Sequence, residues 1–198
     1  MNYHNITTDD MLNGDGLRTV LWVSGCSHHC QNCQNPQTWD KNSGIPFDFG
    51  AFFEIWHQLY KSYISGITFS GGDPLFPGNR EIVCAISALI KDYHPTKTQW
   101  LYTGYKWEEI KDLPIMEYLD VVIDGQYEDD KRDVTLKWRG SSNQRVIDVQ
   151  ESLKQNKVIL TVQNIHVKWW KSSPHAVYPY SAREISMWNR KTILEYRL

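Results

Sequence analysis

Apolar positions along this chain fall into two rhythms. Residues 20–24, 67–70, 99–103 and 120–124 form short, nearly continuous apolar runs, the pattern of strands buried on both faces. Between the first two lies Asp48, a helix cap. After it Phe49, Phe52, Phe53, Trp56, Leu59, Tyr60 and Tyr63 recur at helical spacing. A second helix is predicted over 80–93 with Ile82, Ile86, Leu89 and Ile90 inward, and a weak one over 108–116 around Pro114. Residues 134–139 alternate like a fifth strand, and 157–170 are strand-like before the pattern slips. Ser181 and Glu184 have the spacing of a capping box opening a short final helix.

Strands alternating with helices predict an α/β fold with a parallel sheet, whose functional groups gather at the carboxyl ends of the strands. The first 150 or so residues fall short of the roughly 250 of a closed eight-fold barrel, so an open partial (β/α) barrel is expected. We divide the chain into a main domain, 1–155, and a C-terminal extension, 156–198. The extension is read as an added hairpin, the alternative being a basic, aromatic docking arm.

Charge supports that division. Residues 1–150 carry 13 Lys+Arg against 20 Asp+Glu, whereas residues 151–198 carry 8 against 3. The main domain thus lacks a nucleic-acid footprint, and only the extension could touch an acidic surface. No apolar run approaches the roughly 20 residues of a membrane span. The N-terminus lacks the basic-then-apolar pattern of a signal peptide, so a cytoplasmic location without membrane contact is expected.

Three of the four cysteines fall within eight residues, Cys26, Cys30 and Cys33, in a C-x3-C-x2-C loop directly after the first strand. Each iron of a cubane cluster normally takes one thiolate, so three local thiolates leave one iron open for a ligand. The competing reading is structural zinc, with His28 or His29 as fourth ligand. Such sites usually pair two distant knuckles, and no second knuckle is present. Cys84, among Ile82, Val83 and Ala85, reads as a small core residue. Gly71-Gly72-Asp73-Pro74 ends the second strand, Thr103-Gly104 the third and Asp124-Gly125 the fourth. Glycines there let backbone approach a ligand closely. Residues 13–18, Asn-Gly-Asp-Gly-Leu-Arg, look like a phosphate loop, but no evident strand precedes them, and a plain turn is expected.

The cysteine loop followed by Ser70-Gly-Gly-Asp-Pro74 resembles the radical S-adenosylmethionine enzymes. Within them it most resembles the anaerobic ribonucleoside-triphosphate reductase activating proteins. Residues 13–18, 23–26, Asn35-Pro36 with Trp39, 70–77, 103–105, 122–125 and 138–144 share in that resemblance. It implies a partial barrel of the radical S-adenosylmethionine type, with Cys26, Cys30 and Cys33 holding a [4Fe-4S] cluster. S-adenosyl-L-methionine would chelate the open iron, cradled by Gly71, Gly72 and Asp73 and flanked by Asn32, Cys33 and Gln34. One electron from a low-potential donor such as flavodoxin or ferredoxin would cleave the cofactor. The resulting adenosyl radical would take a hydrogen atom from a glycine in the glycyl-radical domain of the reductase large subunit. Asn32 and Gln34 stand where related enzymes often carry aromatic residues.

Overall fold

The computed structural model describes residues 1–161. Seven strands form one sheet in the order β3-β1-β2-β4-β5-β6-β7. They are β1 (Asn2–Asp10), β2 (Leu17–Val23), β3 (Ile45–Pro46), β4 (Ile64–Gly71), β5 (Thr98–Tyr102), β6 (Val121–Asp124) and β7 (Arg145–Asp148). The four central strands, β2, β4, β5 and β6, are parallel, as their apolar runs predict. Each side of that quartet is closed by antiparallel strands, so the sheet is mixed and open. The helices α1 (Phe49–Leu59), α2 (Arg80–Tyr93) and α3 (Trp107–Ile110) follow β3, β4 and β5, and α4 (Val149–Gln155) follows β7.

One buried cluster joins Leu21, Val23, Ile67, Phe69 and Leu101 of the sheet to Ile55, Leu59, Val83, Ile86 and Ile90 of the first two helices. Asp48 caps α1, accepting a hydrogen bond from the N–H of Ala51 at 3.0 Å. The face α1 buries is Ala51, Ile55 and Leu59; of the expected stripe only Leu59 is fully buried, while the rings of Phe52 and Trp56 pack against the core partly buried. The rings of the stripe stack beside that face as a half-exposed ladder: Phe49 on Phe53, Phe52 on Trp56 and Trp56 on Tyr60. On α2, Ile86 and Ile90 face inward as expected, with Val83 and Ser87 buried beside them in place of Ile82 and Leu89. Cys84 is partly buried and packs against the same core.

Residues 134–139 are not a strand. Asp133 accepts from the N–H and hydroxyl of Thr135, Val134 is 81% exposed, and Trp138 has φ +62°. The strand beside β6 is β7, ten residues later. Its edge is continued by residues 159–161, where the N–H groups of Asp148 and Thr161 donate to Ile159 and Val146. The strand-like stretch 157–170 is described only as far as 161. The predicted final helix lies outside the described residues, and so does most of the extension.

Candidate functional site

The cysteine loop leaves β2 under tight backbone control. Gly25 (φ +99°) donates its N–H to Thr38 at 2.8 Å, and that of Cys26 reaches Trp39 at 3.0 Å. A short 3-10 turn at Pro36–Thr38 thus folds back and braces the loop's start. His29 and Asn32 both adopt left-handed backbone (φ +48° and +53°), which lets eight residues coil tightly. The three thiols are free and half-exposed. Burial pushes the Cys26 and Cys30 thiols up. The backbone N–H groups of His28 and His29 pull Cys26 partway back, and that of Tyr127 does so for Cys30. A metal is what would displace those protons.

Beside this loop β4 ends in the double glycine. A side chain at Gly71 would meet the backbone of Val23 at 2.6 Å, and one at Gly72 the carbonyl of Gly25 at 2.5 Å. Gly71 is therefore required by the approach of β4 to β2, and Gly72 by its approach to the start of the cysteine loop. The N–H groups of Gly72 and Asp73 donate to Val23 and Gly25. Buried Asn79 ties the same turn to β2 through the carbonyls of Ser24 and Asp73.

The Asp73 carboxylate is 1% exposed and fully engaged. It accepts from the N–H of Leu75 and Gly104, the Thr103 hydroxyl and, at 2.7 Å, His28 Nε2. A carboxylate only accepts, so His28 carries its hydrogen on Nε2. The Gln126 amide lies 3.2 Å from the other nitrogen, Nδ1. The zinc reading needs a histidine with a nitrogen to offer; at His28 both are taken, which leaves that reading the exposed His29.

The ends of β5 and β6 complete the group. Asp124 is 1% exposed, accepts the N–H of Trp107 and holds Arg145, which also reaches Glu108. Those two carboxylates hold the Arg145 guanidinium well above its ordinary pKa. Between these ends opens a cavity of about 910 Å3, lined by Gly104, Lys106, Gly125, Gln126, Asn143 and Arg145 among others. Asn32, on the exposed side of the cysteine loop, donates to Asp129 at 2.7 Å, which also accepts from the Tyr127 hydroxyl.

The structure therefore brings Cys26, Cys30, Cys33, Gly71, Gly72 and Asp73 to one edge of the sheet, with Asn32 and exposed Gln34 on the loop's outer side. Residues 13–18 sit at the opposite edge, where Arg18 threads back to Asp15, Ile67 and Thr98. A strand, β1, does precede them; residues 13–16 form the turn expected, and Leu17 and Arg18 open β2. Sequence reasoning named His28 only as a zinc ligand of the competing reading and missed Gln126 and Asp129; for Gln126, its place just after Asp124-Gly125 was the available signal.

The model of the 4Fe-4S single cluster domain family matches residues 12–147. The chain is 47% identical over 146 residues to the anaerobic ribonucleoside-triphosphate reductase-activating protein of Enterobacteria phage T4, covering 74% of this chain and 93% of the relative. The proteins of that name from Pasteurella multocida (strain Pm70) and Escherichia coli (strain K12) are each 41% identical over 150 residues. They are covered to 95% and 97% of their own lengths, against 73% and 74% of this chain.

Proposed function

Because this chain belongs to the family of the anaerobic ribonucleoside-triphosphate reductase-activating proteins, we propose that it activates such a reductase by radical chemistry at a [4Fe-4S] cluster held by Cys26, Cys30 and Cys33. The observation that carries this reading is the gathering of the cysteine loop, the double-glycine turn and two further strand ends at one edge of the sheet. Three free thiols on one short loop suit a cluster with one iron left for a small ligand. That ligand is S-adenosyl-L-methionine. Bound there, the pair supplies one-electron cleavage of a sulfonium carbon–sulfur bond, coupled to hydrogen-atom abstraction from a glycine of the reductase.

The chain's own residues bind and orient. Since the N–H groups of Gly72 and Asp73 are already engaged, contact from this turn to the methionine part falls to carbonyl oxygens. Asn32, Cys33 and Gln34 flank the adenosyl side, where Asn32 also clasps the loop to Asp129. The cavity of about 910 Å3 beside Gln126 is where a segment of the reductase would enter. We read the four parallel strands as the partial barrel of the radical S-adenosylmethionine type, and flavodoxin or ferredoxin as the class of electron donor.

The test is anaerobic reconstitution with iron and sulfide, followed by electron paramagnetic resonance with and without S-adenosylmethionine. About four irons per chain and a signal that shifts on adding the cofactor are expected. Cys30→Ala should lose both, together with glycyl-radical formation on the reductase. One tightly held zinc, or a fully active Cys30→Ala, overturns the reading.

A further inference from the structure

A single imidazole from the cysteine loop touches the ends of all three neighbouring parallel strands. His28 donates through Nε2 to Asp73, after β4, at 2.7 Å. Its Nδ1 faces the Gln126 amide, after β6, at 3.2 Å. Its ring meets Tyr105, after β5, edge-on at 4.6 Å between centroids. It also fills the space over Gly104, where a Cβ would lie 2.4 Å from the ring. The side chain is 9% exposed although the loop around it is open. His29, next along, is exposed and stacks only on Trp39 within the loop's own return.

We propose that His28 is a positioning residue: it fixes the cysteine loop against the ends of β4, β5 and β6 and so sets where a cluster sits relative to the cavity. The proposal rests on Cys26, Cys30 and Cys33 holding that cluster. His28 lies between two of these cysteines, so it governs where Cys26 and Cys30 stand without touching iron. Asp73 is the fixed point, because its remaining bonds to Leu75, Thr103 and Gly104 lock its carboxylate from three other directions. Partners of this kind around metal sites typically change affinity about 10- to 100-fold.

The test compares reconstituted wild type, His28→Phe and His28→Gln in iron release to a chelator, in the resonance spectrum of the reduced cluster, and in thermal midpoint. His28→Phe keeps a ring against Tyr105 and loses both hydrogen bonds; His28→Gln keeps a donor within reach of Asp73. His28→Phe should release iron about tenfold faster and show a displaced spectrum, with most of both restored in His28→Gln. A His28→Phe protein indistinguishable from wild type in release and spectrum overturns the proposal, and so does equal loss in both variants. Should His28→Phe not fold, Gln126→Leu removes only the bond at Nδ1. It should then speed release about threefold, and an unchanged rate overturns the proposal. Wild type that takes up no cluster overturns the cluster reading and this one together, whereas with a loaded wild type the variants report on His28 alone.

Discussion

His94 shows how one buried side chain ties stability to pH. It ends α2, where its N–H donates to Ile90, and its ring packs against Trp56 and Tyr60 at 4.5 and 4.8 Å. Its Nε2 is buried without a hydrogen-bond partner among the described residues. Burial, with Lys97 nearby, pushes its pKa down from 6.5 to about 4. Between those values the unfolded chain holds a proton that the folded chain refuses, so stability rises with pH across that window. It is lost as pH falls from 6.5 towards 4, by roughly 2 kcal/mol. Urea midpoints at pH 7 and pH 5 check this: His94→Gln should flatten the difference, and an unchanged difference would contradict it. At this scale the sequence discloses residue types but not partners. The grouping of Cys26, Cys30 and Cys33 on one loop was legible because their spacing alone states it. His28 was not, since its meaning lies in Asp73 and Gln126, 45 and 98 residues away.

Among elements, the cap of α1 offers a direct measurement. Asp48→Ala removes the bond to Ala51 and should cost about 1 kcal/mol in chemical unfolding; no change would mean that water replaces the cap. That cap and the four parallel strands were readable because local chemistry and burial on both faces leave plain marks. The edge strands were not. β1 has irregular register on both sides of Asn5–Thr7, so its inward residues, Tyr3 and Ile6, do not alternate. Residues 134–139 imitate a strand because Val134 and Leu136 happen to alternate with polar neighbours, while Asp133 turns the chain there. The aromatic ladder of α1 misled for another reason. Large rings satisfy one another by stacking and edge-to-face contact and stay partly exposed at the rim of the core, which Ala51, Ile55 and Leu59 fill.

For the whole molecule, the candidate site lies entirely within the described residues. The curated relatives are matched over 146 to 150 positions, 93% to 97% of their own lengths. Their shared activity therefore needs no counterpart of most of the extension. A chain ending after residue 161 should fold and load iron to the same stoichiometry as the full chain, read by circular dichroism and iron assay. Loss of loading would show that the basic extension takes part in building the site. The charge contrast between the two parts was legible from composition alone; what the extension contacts was not, because charge names a class of surface and no address. Within the main domain, the cysteine loop is secured by bonds from protein to protein: Gly25 to Thr38, His28 to Asp73 and Asn32 to Asp129. Iron–sulfur centres are lost to oxygen, and a socket whose fastenings do not pass through its occupant outlasts that loss. After exposure to air, such a protein should recover once its thiols are reduced and iron and sulfide are supplied, without its chain being made again.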